Sequence, residues 1–187
     1  VFVIGHSLGA MLAPRVAAGR DDLAGIALLA GPARALNEVL VDQVTYIARI
    51  DGSIDAAERA QIETLQAQSE AAASMRDRRS ATPAMLGQPE SWWADLRGYD
   101  PVEVAKTLEI PIFVAQGGRD YQVTVEDDFR RWREAFEDDP RATLRVYPDL
   151  NHLFMPGDGM ATPSEYLNVA GAVDARLIDD LSQWVLE

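Results

Sequence analysis

Val1-Phe2-Val3-Ile4-Gly5-His6-Ser7-Leu8-Gly9 is the stretch that decides the fold. Its first four residues are apolar and β-favouring without interruption. That pattern predicts a strand buried on both faces, as in a parallel sheet. Gly5 to Gly9 then reads Gly-x-Ser-x-Gly, and residues 10–18 read as a helix closed by Gly19. A serine on a strained turn between strand and helix projects its hydroxyl above the sheet edge. Gly5 and Gly9 are expected to leave room for the chain to pass close by. Leu8 follows the serine at the start of the helix, where its backbone N–H and the helix dipole can stabilise an oxyanion. Ser7 is therefore the candidate nucleophile.

Outward from this turn, strand and helix alternate. Ile26-Ala27-Leu28-Leu29-Ala30 reads as a second buried strand, stopped by Gly31-Pro32. Residues 110–115 form a third, ending at Gln116-Gly117-Gly118-Arg119-Asp120, and residues 143–147 a fourth. Thr124 and Asp127 cap a helix with Phe129, Trp132 and Phe136 on one face. A last helix is expected to bury Val173, Leu177, Leu181 and Trp184. This order implies a parallel sheet with right-handed crossovers.

Residues 35–99 break the alternation. Leu36, Val39, Leu40, Val44 and Ile47 keep helical spacing, and Asp55 with Glu58 resembles a capping box opening a helix that runs to Met75. Residues 80–90 read as a loop, followed by Trp92 and Trp93. Asp100-Pro101-Val102-Glu103 is a strong helix start: a cap, a proline at the first position, and a glutamate expected to reach back. The domain reading is a core of residues 1–34 and 100–187 with a helical insertion of residues 35–99.

A neutral serine hydroxyl needs a base. The 187-residue chain holds two histidines. His6 adjoins Ser7, and neighbouring residues in such a turn point in different directions, so it is a poor candidate. His152 follows the last strand, where a loop returns to the C-terminal edge of the sheet. Asp120, after the third strand, stands at the same edge and is the candidate for orienting the imidazole. Gly117-Gly118 is expected to supply the tight turn before it. Asp149 is the rival, but it lies three residues before His152 on one loop, an awkward span for holding the ring. The order Ser7, Asp120, His152 is that of the α/β-hydrolases.

Composition narrows the class. There are 17 basic and 30 acidic residues, a net charge of −13, so the positive field that nucleic-acid binding needs is absent. With no cysteine, disulfides and thiolate catalysis are excluded. Two separated histidines form no recognisable metal-ligand cluster, and no metal or organic cofactor is implied. No apolar run approaches the roughly 20 residues that span a bilayer. Compartment and oligomeric state are left open.

Residues 3–9, 117–120 and 151–152 resemble the three motif regions of α/β-hydrolase fold enzymes. The stretch from Asp100 through Pro111, Gln116-Gly117-Gly118-Arg119-Asp120-Tyr121 and Leu150-Asn151-His152-Leu153-Phe154 is similar to bacterial esterases related to dienelactone hydrolases and serine aminopeptidases. The resemblance implies a carboxylesterase acting on a small-molecule ester or acyl substrate through Ser7, His152 and Asp120. It leaves peptidase, acyltransferase and non-catalytic binding readings open.

The resemblance also implies that residues 35–99 form a cap. In that setting Trp92 and Trp93 either wall an apolar pocket or pack the cap on the sheet, and residues 154–159 form either the pocket rim or an ordinary surface turn. Family sheets usually have eight strands, and the four found here match the last four. The chain thus reads as the C-terminal part of an α/β-hydrolase. The second oxyanion donor is then expected outside it, a loss of about 10²–10³ in rate in a known case. Residues 1–4 would form an open apolar edge. This piece alone is expected to be poorly active or insoluble. A histidine base predicts activity that falls below about pH 6–7.

Overall fold

The computed structural model describes residues 1–74, 87–168 and 171–187. It contains two compact units, one made of Val1–Arg34 and Asp100–Glu187, the other of Ala35–Tyr99.

The first unit is built on four parallel strands in the order β1-β2-β3-β4: β1 Phe2–His6, β2 Gly25–Leu29, β3 Ile112–Gly117 and β4 Ala142–Tyr147. Val3 is level with Ile26, Ile26 with Ile112, and Ile112 with Ala142. Side chains alternate across the sheet with period two. Ile26, Leu28, Ile112 and Val114 face one core, filled by Ala10, Ala13 and Ala17 of α1 (Leu8–Ala17), Val102 and Ala105 of a helix at Pro101–Lys106, and Trp132 and Phe136 of a helix at Arg130–Phe136. Ala27, Phe113 and Ala115 face the other, filled by Phe154 and by Leu177 and Trp184 of the last helix, Ala175–Leu186.

The central strands fit the expectation of burial on both faces. β1 instead takes the open edge also expected of residues 1–4: it ends the sheet order, and Ile4 is 53% exposed. Val173 also departs from its expected place. It precedes the last helix and is exposed, so that helix buries Leu177 and Trp184 without it. The segment capped by Thr124 opens with a π-helical turn, Val125–Phe129, before the α-helix begins, yet Phe129, Trp132 and Phe136 are all buried together.

The second unit holds α2 (Leu36–Ala48), α3 (Ala56–Ser74) and α4 (Glu90–Leu96). The capping box at the start of α3 is reciprocal: Glu58 N–H donates to Asp55 Oδ1 at 2.8 Å, and Asp55 N–H to Glu58 Oε2 at 2.9 Å. Buried Asn37 joins α2 to α3 by donating to Ser69 Oγ at 2.8 Å. Met75 and most of the 80–90 loop lie outside the described residues.

Pro101–Lys106 is α5, Arg130–Phe136 α6, Glu165–Asn168 α7 and Ala175–Leu186 α8. Asp100 caps α5 by accepting from Val102 and Glu103 N–H at 2.9 and 3.0 Å. Glu103 does not reach back as expected: Lys106, one turn on, takes its carboxylate instead. No helix among the described residues is long and apolar enough to cross a membrane.

Candidate active site

Three loops meet at the C-terminal edge of the sheet, where a parallel arrangement gathers the residues that follow each strand. Ser7 sits between β1 and α1 at φ 55° and ψ −121°, a left-handed conformation rare for a side-chain-bearing residue and costing about 1–3 kcal/mol. Its N–H donates to Leu29 C=O at 2.9 Å, and its C=O accepts the first α1 bond from Met11 at 3.0 Å. Leu8 opens α1, so its N–H lies outside the helical ladder. The two motif glycines differ. A Cβ at Gly5 would collide with the Gly9 carbonyl and Ala10 nitrogen, whereas one at Gly9 would meet nothing within 4 Å. The expectation that both make room is corrected for Gly9.

His152 lies on the loop after β4 and Asp120 on the loop after β3. Both are buried, and His152 Nδ1–H donates to Asp120 Oδ2 at 2.7 Å. That bond fixes the tautomer and leaves Nε2 as the ring's acceptor. The rival Asp149 is turned away and pairs with Arg176 at 2.7 Å.

Asp120 is itself held by four donors. Besides His152, Gln116 Nε2 donates to Oδ2 at 2.9 Å, while Gln122 and Val123 N–H donate to Oδ1 at 2.8 and 3.0 Å. Gln116 is fully buried and also donates to Val123 C=O at 2.8 Å. The sequence reading placed Gln116 within a motif stretch and gave it no role. The available signal was a polar amide at the end of an otherwise apolar buried strand.

Gly117 opens the expected tight turn, in which Asp120 N–H donates to Gly117 C=O at 3.3 Å, and neither it nor Gly118 takes a positive φ there. They allow two backbones to touch. A Cβ at Gly117 would come 2.5 Å from Leu150 O and 2.6 Å from Asn151 O, and one at Gly118 2.6 Å from Pro148. Across this contact Gly118 N–H donates to Tyr147 C=O at 2.7 Å and Arg119 N–H to Leu150 C=O at 2.9 Å. The acid loop and the histidine loop are thus zipped together.

His6 supplies the third link. Its Nε2–H donates to the His152 carbonyl at 2.8 Å, and the two rings lie 4.7 Å apart. The turn that carries Ser7 is thereby tied to the loop that carries His152. Partial burial pushes the His6 imidazole below its usual value near 6.5, although the hydrogen bond to His152 acts the other way. Sequence reasoning set His6 aside as a base and did not see this contact.

Asn151, placed in a motif region by the sequence but given no role there, shapes the histidine loop. It is buried, and its Oδ1 accepts from Leu153 and Met155 N–H at 3.0 and 3.1 Å. Met155, Pro156, Gly157 and Asp158 of the expected rim line a cavity of about 540 Å³ with Arg119 and Glu165. Trp92 and Trp93 lie on α4 in the second unit, edge to face at 4.7 Å, with Trp93 buried. Among the described residues no cluster of three or more metal-binding side chains occurs.

A family model described as "Alpha/beta hydrolase family" matches residues 1–165. The chain is 39% identical over 190 residues to "Esterase EstD" of Thermotoga maritima, covering 100% of this chain and 43% of that protein. It therefore spans less than half the length of that curated relative. Among solved structures it is similar to the Pyrococcus furiosus esterase Pf2001, with a TM-score of 0.51 and 18% identity over 81% of this chain and 45% of that one. At that identity the likeness is one of fold.

Proposed function

Because the chain belongs to the alpha/beta hydrolase family, we propose that it carries the nucleophile, base and acid of a serine esterase that cleaves small carboxylic esters through an acyl-enzyme. The observation that carries this reading is the buried 2.7 Å bond from His152 Nδ1 to Asp120 Oδ2, at the sheet edge where Ser7 holds a strained backbone. Similarity to a protein named as an esterase supports the choice of ester over amide.

In this mechanism Ser7 Oγ attacks the ester carbonyl as His152 Nε2 takes its proton. Asp120 keeps the ring in the required tautomer and stabilises the imidazolium. The oxyanion is met by Leu8 N–H at the positive end of α1. His152 then protonates the departing alkoxide. Water, deprotonated by the same nitrogen, attacks the acyl carbonyl and releases the acid and free Ser7.

Hydrolysis of a short-chain p-nitrophenyl ester by the full-length protein tests this. Ser7→Ala and His152→Gln are each expected to lower kcat by about 10⁴–10⁶, and Asp120→Asn by about 10⁴. Turnover that survives Ser7→Ala within about tenfold overturns the reading. A matched anilide hydrolysed faster than the ester would instead favour a peptidase.

A further inference from the structure

Arg119 and Asn151 stand immediately before Asp120 and His152. Both donate to one carboxylate, that of Glu165 on α7. Arg119 Nη2 reaches Glu165 Oε1 at 2.6 Å and Nη1 reaches Oε2 at 3.3 Å. Asn151 Nδ2 reaches Oε2 at 2.9 Å. The rest of each donor side chain is spent inside its surroundings. Asn151 Oδ1 takes two N–H groups of the histidine loop, and Arg119 donates to the Gly159 and Asp158 carbonyls at 2.9 and 3.1 Å. Gly157 leaves the space that the guanidinium fills, since a Cβ there would overlap it.

The cluster is shielded. Arg119 and Glu165 side chains are 9% and 21% exposed, so water screens this pair less than a surface one. Burial works against ionisation of Glu165, but the Arg119 and Asn151 donors together hold its carboxyl below the usual range. The carboxylate thus accepts from both neighbours and carries the charge that offsets the Arg119 guanidinium.

We propose that Glu165 is a positioning residue: by gripping the residue before the acid and the residue before the base, it sets the His152–Asp120 hydrogen bond. The proposal rests on the reading of Ser7, His152 and Asp120 as the reacting set. Glu165 places its hydrogen bonds on Arg119 and Asn151 and acts through them. A misplacement of about 1 Å at such a site can cost about 10²-fold in rate. A residue that merely anchored α7 would affect melting without moving kcat of the folded protein.

An exchange of polar groups separates the two. Asn151→Asp sets a second carboxylate against Glu165 while keeping an acceptor for the Leu153 and Met155 N–H groups. It is expected to lower kcat for ester hydrolysis about 10- to 100-fold with KM within about twofold. Adding Glu165→Gln returns a donor to face the new acceptor, and kcat is expected to recover at least about fivefold from the single variant. Glu165→Gln alone is read alongside, in case Asn151→Asp fails to fold. It is expected to cost at least about threefold in kcat.

An activity-independent readout accompanies these variants: the downfield His152 Nδ1–H resonance in histidine-labelled protein, assigned by its loss in His152→Gln. It is expected to shift with either single substitution and to return toward its wild-type position in the double variant. A double variant no faster than Asn151→Asp, or Glu165→Gln with wild-type kcat and an unmoved resonance, overturns the proposal. Wild-type protein that hydrolyses no ester would instead refute the esterase reading, and the resonance would still report whether Glu165 positions the pair.

Discussion

His6 holds its neighbours in place with a single donor. The Nε2–H to His152 carbonyl bond at 2.8 Å requires a ring that carries its proton on that nitrogen, whether neutral or charged, and the lowered pKa favours the neutral form. The unfolded chain therefore takes up a proton first as pH falls below 6.5. The stability contributed by His6 is complete above that value and is lost as pH falls from 6.5 through the depressed folded-state pKa. Thermal melts of wild type and His6→Gln, run from about pH 7.5 to about pH 5, are expected to show wild type losing ground to the variant. Curves that stay parallel, or that separate further in acid, contradict this. Asp120 illustrates the same point on the acid side, because its four donors include Gln116 and two backbone amides that no motif announces.

Gly117 carries the element-scale prediction. β3 and β4 run parallel, and the loops that follow them approach until Gly117 touches Leu150 and Asn151. Gly117→Ala must push two backbones apart, at a cost of about 1–3 kcal/mol by overpacking. Gly9→Ala, which meets open space, is expected to leave stability unchanged or raise it by about 0.5–1 kcal/mol through helix propensity. Denaturant melts that rank the two glycines the other way would refute this account.

The two cases also show what could be read in advance. The Asp55–Glu58 box and the Asp100 cap were legible because donor and acceptor lie within one helical turn. The role of Gly117 and Gly118 was not, because the backbone they touch lies far along the chain. Only the turn they open, closed by Asp120 N–H to Gly117 C=O, was local enough to read. For β1 the apolar run signalled a strand but not its rank; the match to the last four strands of a larger sheet is what put it at the edge it occupies.

At the scale of the molecule, the alternation of strand and helix was enough to anticipate a parallel sheet. The chain order of Ser7, Asp120 and His152 anticipated which loops would meet at its C-terminal edge. What stayed hidden was the support: Asn151, Glu165 and His6 bond across loops to partners that become neighbours only once the sheet has formed, while Gln116 holds Asp120 and Val123 within its own loop. The central claim is that this edge activates Ser7. It is tested most directly by treating the full-length protein with a fluorophosphonate and mapping the adduct by peptide mass spectrometry. The account predicts one adduct, on Ser7, formed at neutral pH and lost in His152→Gln. An unlabelled Ser7, or an adduct on another serine, would contradict it.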